Sequence, residues 1–330
     1  MSLSHYLYTA PWFLPVRIVL SIKYGFLIWL RNRAYDFGVF KTLSVKTPII
    51  SVGNISTGGS GKTILVQALV QYFLGIQKKP AVLSRGYGRS SKGLEVVADE
   101  NGLKATLTDS GDEPFLIAEN FTGVPVVVSE NRVKGAQYIE NNFDPDVIIL
   151  DDGFQHRRLH RDLDILIVDF QSSPKPRLLP WGNLREGIQN TSRADLVVFS
   201  KNGHQKAREN NLVFDMDNWV HDHQKKRIDL FQLKGNYGLF AGLGNPDHFF
   251  KLVEACHQPA GVKISFPDHA SYSTLQLAEI KDNSCDYWIT TQKDFIKLKP
   301  AFCKEHRIYF IGVKTTLPAP LAAHLKQHFN

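Results

Sequence analysis

Cysteine is scarce in this sequence of 330 residues, and its positions form no recognisable pattern. Cys256, Cys285 and Cys303 are scattered and have no C-x-x-C spacing. A disulfide framework and a structural zinc site are therefore not indicated. The composition is typical of a protein from a reducing cytoplasm.

Long apolar runs are also missing, because Arg17 and Lys23 divide the apolar, aromatic segment from His5 to Arg33. A helix needs about 20 apolar residues to span a bilayer. The segment also lacks the basic start and the cleavage site of a signal peptide. Its mixture of aromatic and basic residues predicts that residues 1–35 hold an amphipathic helix lying in the membrane interface. The alternative is a helix packed on the protein's own core.

The sequence has no internal repeat and no low-complexity tract, and its length favours two domains. We expect a core domain at 36–215, a linker or crossing ribbon at 216–235 and a smaller α/β domain at 236–330. The net charge of +7 and the isoelectric point near 9.1 favour an anionic partner. Nucleotides, nucleic acids, phosphorylated metabolites and anionic membranes would all satisfy that charge.

Short apolar runs alternate with helix-like segments through the expected core domain. The runs at 47–54, 124–129, 145–153, 163–169 and 194–201 have the length of buried strands, and 80–89 reads as a strand that ends in a basic, glycine-rich turn. The segments 63–73 and 130–143 have helical spacing. This alternation predicts an α/β fold, with a parallel sheet covered by helices on both faces.

The segment "SVGNISTGGSGKTILV", from Ser51 to Val66, resembles the phosphate-binding loop of P-loop NTPases, although Ser56 replaces the usual first glycine. A predicted strand precedes it and a predicted helix follows it, as that motif requires. Backbone N–H groups and the helix N-terminus would cradle phosphate oxygens, Lys62 would reach the terminal phosphates and Thr63 would meet magnesium. The predicted nucleotide-binding residues are Thr57, Gly58, Gly59, Ser60, Gly61, Lys62 and Thr63. A glycine-rich turn without a ligand is the alternative.

Acidic residues occur at three further places. Asp151 and Asp152 follow a predicted strand, where a Walker B acid would meet the magnesium held by Thr63. Asp112 and Glu113 precede a helix-like run, so helix capping would equally explain them. His269, in "FPDHASY", is by itself a weak signal of a residue that orients a catalytic acid.

Basic residues recur in the loops after the predicted strands. Arg85 and Tyr87 lie in "SRGYGR", Arg132 in "SENR", His156 in "FQHRR" and Arg185 in "WGNLREG". A solvated surface would account for scattered arginines. Their recurrence at one edge of the sheet instead predicts an anionic acceptor held by guanidinium groups.

These motifs together resemble the tetraacyldisaccharide 4'-kinases, which are membrane-associated enzymes that phosphorylate the lipid A precursor. The resemblance covers most of the chain, and its most specific part is "LDDGFQHRRLHRDLDILIVD". It further includes "VGNISTGGSGKT", "SRGYGR", "GDEP", "SENR", "LLPWGNLRE", "AGLGNP", "FPDHASY" and "TTQKD". Members of the family also lack the first loop glycine, which explains Ser56.

The resemblance implies a reaction and a role for each candidate residue. ATP and Mg²⁺ would be required, and the 4'-hydroxyl of tetraacyldisaccharide 1-phosphate would be phosphorylated to give lipid IVA. Asp112, paired with His269, and Lys62 would be catalytic. The metal would involve Thr63, Glu113, Asp151 and Asp152, and the lipid headgroup would contact Arg85, Tyr87, Arg132, His156 and Arg185. The enzyme would act at the anionic cytoplasmic face of the inner membrane, without nucleic acid or an obligate protein partner.

Two other functions fit parts of the sequence less well. A GTPase or metal-insertion ATPase would want an Asn/Thr-Lys-x-Asp element, but "TTQKD" places Lys293 directly beside Asp294. A nucleic-acid-binding ATPase would fit the positive charge, but the sheet domain lacks a dense basic stripe with interleaved aromatics.

Overall fold

A computed structural model describes residues 11–169, 177–200 and 209–329. The chain divides into two compact units, and each is made of separate stretches of sequence. The first unit contains the described parts of Met1–Arg85, Ser129–Leu212 and Leu317–Asn330, and the second contains Gly86–Val128 and Val213–Thr316. The domain boundaries expected at 35, 215 and 235 remain predictions.

The strands and helices are numbered in chain order. The strands are β1 (Ile49–Asn54), β2 (Pro80–Ser84), β3 (Leu94–Asp99), β4 (Gly102–Leu103), β5 (Val126–Ser129), β6 (Val147–Asp151), β7 (Leu163–Asp169), β8 (Leu196–Ser200), β9 (Phe214–His221), β10 (Arg227–Asp229), β11 (Tyr237–Ala241), β12 (Val262–Ser265), β13 (Tyr287–Thr291) and β14 (Ile308–Thr315). The helices are α1 (Leu14–Asp36), α2 (Lys62–Gly75), α3 (Leu107–Ser110), α4 (Asp112–Asn120), α5 (Arg132–Phe143), α6 (Pro246–Cys256), α7 (Thr274–Lys281), α8 (Gln292–Phe295), α9 (Pro300–Glu305) and α10 (Ala319–His328). Short 3₁₀ turns occupy Pro11–Phe13, Ile188–Arg193 and Leu230–Gln232.

The first unit is built on a parallel sheet with the strand order β2-β6-β1-β7-β8. Every residue of β1, β2 and β6 is buried, which explains why these strands are almost continuously apolar. Parallel pairing brings the carboxyl ends of β1 and β6 side by side, with Val52 opposite Asp151. The glycine-rich loop and the acidic pair therefore begin at the same edge of this sheet.

Helix α1 has an unusual distribution of polar and apolar side chains. Its buried residues are Ser21 and Asn32, whereas large apolar side chains are exposed. Ser21 Oγ donates a hydrogen bond to Leu178 O, and Asn32 Nδ2 donates one to the buried carboxylate of Glu186. Polar contacts thus fasten the helix to its unit and leave its apolar side outward. Over the described residues, no helix combines the length and the hydropathy that crossing a membrane requires.

The second unit contains a sheet with the strand order β10-β9-β14-β13-β11-β12. Strands β11 to β14 pair in parallel, whereas β9 pairs antiparallel with β10 and β14. Aromatic side chains dominate its core, where Tyr237, Phe240, Tyr287 and Trp288 are almost fully buried. The prediction of a mixed α/β fold with large parallel sheets is confirmed.

Part of the expected linker at 216–235 is strand: β9 ends at His221 and β10 covers Arg227–Asp229. The reason is that β9 and β10 form an antiparallel ribbon at the sheet edge. Such a ribbon is half exposed and carries polar residues on the solvent side, so its sequence resembles a loop. The antiparallel pair β3 and β4 was also not expected from the sequence.

Candidate active site

The glycine-rich loop connects β1 to α2, and its shape depends on two glycines. Gly58 and Gly61 have φ angles of 112° and 87°, which side chains other than glycine rarely adopt. Gly61 is the residue before the first turn of α2, so Lys62 and Thr63 lie at the helix N-terminus. Asn54 Nδ2 donates to Ser60 Oγ across the loop at 3.0 Å. The predicted residues Thr57, Gly59 and Ser60 complete this turn.

Ser56 shows why the loop does not need its first glycine. Its φ is not positive, and it forms an antiparallel bridge with Leu184. The next residue extends this pairing, because Thr57 N donates to Asn183 O at 2.7 Å. A segment around residue 184 therefore holds the start of the loop in extended backbone, which any residue adopts.

Asp152 connects the loop lysine to Arg185. Its Oδ1 is 3.5 Å from Lys62 Nζ, and Arg185 Nη1 contacts both carboxylate oxygens at 2.9 and 2.7 Å. Burial tends to raise the pKa of Asp152, but Lys62 and Arg185 outweigh it and the pKa is lowered. The structure therefore brings Arg185, which was predicted to bind the acceptor, to the loop lysine and the acidic pair.

Asp151 lies at the end of β6 and is almost fully buried. Its Oδ2 accepts a hydrogen bond from Ser84 Oγ at 3.1 Å, at the end of the next strand, β2. Over the described residues, no group of three or more His, Cys, Asp and Glu side chains converges as a metal cage would. The predicted metal residues are divided: Thr63, Asp151 and Asp152 belong to the first unit and Glu113 belongs to the second.

A basic cluster in the first unit contains three of the predicted acceptor-binding residues, Arg85, Arg132 and His156. Burial, followed by the nearby charge of Arg85, lowers the pKa of Arg132 to about 10. Burial, followed by the charges of Arg132 and Arg161, lowers the pKa of His156 to about 4. The arginine charges are thus close together in a partly dehydrated place, and His156 beside them is neutral near neutral pH. An anion with several charges would relieve that repulsion.

In the second unit, Asp112 and His269 form a hydrogen-bonded pair although 157 residues separate them in the chain. His269 Nδ1 is 3.0 Å from Asp112 Oδ2, and His269 Nε2 is 3.3 Å from Lys293 Nζ. This arrangement fits the tautomer in which Nδ1 donates to the carboxylate and Nε2 accepts from the ammonium. Asp112 starts α4, but its carboxylate turns to His269 and not to its own helix. Capping of the α4 N-terminus therefore does not account for the position of the Asp112 side chain.

Gly111 allows Asp112 to approach the segment that carries Tyr87. Its φ is 85°, and a side chain there would place a Cβ atom 2.8 Å from Tyr87 O. The ring of Tyr87 is 71% exposed, and its centroid lies 5.6 Å from that of His269. Tyr87, Asp112 and His269 are thus assembled at one place. Glu113 lies beside them, with its Oε1 at 3.5 Å from Lys293 Nζ.

Lys293 and Lys297 are residues of this cluster that the sequence reasoning did not single out. Lys297 Nζ is 2.7 Å from Asp112 Oδ2 and donates to Ala270 O at 3.1 Å. Burial tends to raise the pKa of Asp112, but His269 and Lys297 lower it to about 2. A signal for Lys293 was present in "TTQKD", where this lysine is the second residue of the short helix α8, directly after β13.

Comparisons with known proteins show the family of the chain over nearly its whole length. Residues 13–330 match the family profile described as tetraacyldisaccharide-1-P 4'-kinase. The chain belongs to this family. It is 38% identical to the tetraacyldisaccharide 4'-kinase of Aquifex aeolicus over 84% of this chain and 88% of that protein. It is 33% identical to the enzyme of the same name from Geobacter metallireducens over 93% of this chain and 96% of that protein.

A solved structure of a member of the 4'-kinase family also resembles the chain. It is LpxK from Aquifex aeolicus, described as the "apo" form in complex with ATP at 2.2 Å resolution. The TM-score is 0.80 at 34% sequence identity, and the likeness covers 95% of this chain and 98% of that one. The resemblance inferred from the sequence motifs is therefore confirmed for the family and the fold.

Proposed function

We propose that the protein transfers the γ-phosphate of ATP to the 4'-hydroxyl of tetraacyldisaccharide 1-phosphate and so forms lipid IVA. The family match over residues 13–330 supports the reaction. The observation that supports the residue roles most strongly is the carboxylate of Asp112, which is held by His269 at 3.0 Å and Lys297 at 2.7 Å. An oriented carboxylate of this kind suits a base that receives the proton of a hydroxyl group.

The glycine-rich loop is proposed to bind the phosphates of ATP. Its N–H groups and the N-terminus of α2 favour negative charge there. Lys62 would leave its 3.5 Å contact with Asp152 to neutralise charge on the terminal phosphates. Residues 57–63 would therefore act mainly by alignment and charge neutralisation, which dominate phosphoryl transfer.

The first unit offers oxygen donors that suit Mg²⁺. Asp151 and Asp152 lie at the end of β6, and Thr63 lies at the start of α2. Mg²⁺ is commonly held by one or two carboxylates together with substrate phosphates, so three convergent acidic side chains are not needed. Asp151, Asp152 and Thr63 would hold the ion, with Glu113 as a further predicted contributor. When bound, the ion would neutralise charge on the β- and γ-phosphate oxygens.

Asp112 is proposed as the general base. The 4'-oxygen forms a bond to the γ-phosphorus, the bond from that phosphorus to the bridging oxygen breaks, and ADP leaves. The hydroxyl proton passes to Asp112, whose orientation His269 maintains. General-base catalysis typically contributes about 10²–10⁴-fold to a rate.

The basic cluster and the exposed ring of Tyr87 are proposed to recognise the acceptor. Arg85 and Arg132 bring two positive charges together, which suits the 1-phosphate of the lipid headgroup. His156, whose lowered pKa leaves its ring neutral near neutral pH, would contribute a hydrogen bond. Arg185 would contribute through its position beside Asp152 and Lys62.

Helix α1 is proposed to dock the enzyme on the anionic cytoplasmic face of the inner membrane. Its residues Ile22, Phe26, Leu27 and Trp29, and Trp12 in the 3₁₀ turn before it, are each more than half exposed. Apolar and aromatic side chains of this kind enter the headgroup boundary of a bilayer. Replacing Phe26 and Trp29 with serine should weaken binding to vesicles of phosphatidylglycerol and phosphatidylethanolamine, and unchanged binding would contradict this role.

The reaction is tested by following radiolabelled γ-phosphate from ATP to tetraacyldisaccharide 1-phosphate in detergent micelles. Wild type should give labelled lipid IVA, and Lys62→Ala and Asp112→Ala should give little. Hydrolysis of ATP without a labelled lipid product would overturn the proposed acceptor.

A further inference from the structure

The cluster around Asp112 contains a buried cation for which the proposed reaction has so far no use. The side chain of Lys297 is only 6% exposed, although lysine is among the residues least often buried. A buried ammonium is costly unless it is paired and hydrogen-bonded. Lys297 meets this requirement with the Asp112 carboxylate and the Ala270 carbonyl.

The two contacts of Lys297 connect the segments that carry the catalytic pair. Ala270 directly follows His269, so one ammonium group binds both the His269 loop and the first residue of α4. His269 itself has a φ of 58°, an uncommon backbone conformation that a surrounding structure must maintain. Lys297 is therefore placed to fix the distance between His269 and Asp112.

The contacts of the Asp112 carboxylate are unequal on its two oxygens. His269 Nδ1 and Lys297 Nζ both approach Oδ2, at 3.0 and 2.7 Å. Among the described residues, none donates a hydrogen bond to Oδ1. One oxygen is therefore held in place, and the other keeps its lone pairs for a substrate hydroxyl.

The position of Lys297 is itself well determined by the fold. Lys297 N donates to Asp294 O just after α8. The buried carboxylate of Asp294 accepts hydrogen bonds from Gly242 N at 3.0 Å and Thr291 Oγ1 at 2.7 Å. Asp294 thereby ties α8 to the ends of β11 and β13, and it sets the place from which Lys297 reaches Asp112.

We propose that Lys297 is a positioning residue for phosphoryl transfer, which holds Oδ2 of Asp112 together with His269 so that Oδ1 receives the proton of the acceptor hydroxyl. This inference rests on the proposed function, because it needs Asp112 to be the base. Lys297 touches no reacting atom in this scheme. It acts through Asp112 by keeping the carboxylate oriented.

The kinetic test compares wild type with Lys297→Met, Lys297→Arg and the control Lys299→Met. Lys299 is exposed and lies two residues farther along the same segment. Lys297→Met should lower kcat at least about tenfold while KM for ATP changes less than about twofold. Lys297→Arg should recover part of kcat because it keeps the charge, and Lys299→Met should match wild type. A wild-type kcat in Lys297→Met would overturn the inference.

Crystal structures of the variants without acceptor test the same inference through geometry alone. In Lys297→Met the Asp112 carboxylate should turn away from His269, so that the 3.0 Å contact between His269 Nδ1 and Asp112 Oδ2 is lost. Lys297→Arg should keep this contact, because a cation still reaches Oδ2.

The two measurements separate failure of the inference from failure of the proposed function. If wild type transfers no phosphate to the lipid, the proposed function fails, and the variant structures still decide whether Lys297 orients Asp112. If Lys297→Met lowers kcat and melting temperature but leaves the contact between Asp112 and His269 unchanged, Lys297 is only structural and the inference is wrong.

Discussion

Each unit pairs a lysine with an aspartate in its candidate site, and the two pairs differ in distance and burial. Lys62 Nζ lies 3.5 Å from Asp152, and the two side chains are 12% and 27% exposed. Lys297 Nζ lies 2.7 Å from Asp112, and those side chains are 6% and 17% exposed. Charge-assisted hydrogen bonds of this kind are usually 2.7–2.9 Å long, so only the second pair has that length.

The difference fits the two tasks proposed for these lysines. A lysine that serves a nucleotide must exchange its carboxylate for phosphate, and a long, more exposed contact makes that exchange easier. A lysine that serves a catalytic carboxylate must stay, and Lys297 is retained by a second bond to Ala270 O. The same two residue types therefore give a mobile charge in one unit and a fixed charge in the other.

The largest expected effect comes from comparing the two aspartates. Asp112→Asn should lower kcat by about 10²–10⁴-fold, because asparagine accepts no proton. Asp152→Asn is a matched change, since asparagine tolerates the φ of 53° at this position. The kcat that Asp152→Asn loses should be recovered in part by raising the Mg²⁺ concentration, whereas the kcat that Asp112→Asn loses should not. If a Mg²⁺ titration restored kcat equally in both variants, the two aspartates would not differ in role.

A smaller effect is expected from His269→Asn, which keeps a side chain suited to the φ of 58° and removes the imidazole. Asp112 would retain Lys297, so kcat should fall by roughly one order of magnitude less than in Asp112→Asn. The ATP dissociation constant, measured by calorimetry, should stay at its wild-type value. A loss as large as that of Asp112→Asn would make the histidine, and not the aspartate, the main proton acceptor.

The smallest effect concerns stability and pH. The pKa of Asp112 is lowered from 3.8 to about 2, so its carboxylate stabilises the fold above pH 3.8. That contribution is lost as the pH falls towards 2, because the unfolded chain binds the proton first. Asp112→Asn should therefore lower the melting temperature at neutral pH, and its difference from wild type should shrink below about pH 4. Calorimetric melting that shows the same difference at all pH values would contradict the lowered pKa.

The sequence predicted those parts of the site that lie close together in the chain. The loop from Thr57 to Thr63 comes soon after the apolar strand β1, and Asp151 and Asp152 lie at the end of the apolar strand β6. Because β1 and β6 pair in parallel, both features lie at the same edge of the sheet. The strands of the first unit agree with the prediction because both faces of this sheet are buried, which leaves a clear apolar signal.

The remaining features depend on contacts between distant segments. His269 meets Asp112 across 157 residues. Lys297 follows a short helix whose place Asp294 sets through Gly242 and Thr291. The spacing of residues along the chain does not predict such contacts. Only the family resemblance paired Asp112 with His269. Strand β9 enters the segment for which the sequence left a linker or a crossing ribbon open, because its half-exposed pattern at a sheet edge has the composition of a loop.

The most direct test of the account measures ATP affinity and the single-turnover rate of phosphate transfer in Lys62→Met and Lys297→Met. We predict that Lys62→Met loses ATP affinity together with transfer. Lys297→Met should bind ATP as wild type does and lose only the rate of transfer. Equal losses of ATP affinity in the two variants would contradict the claim that one lysine serves the nucleotide and the other serves the base.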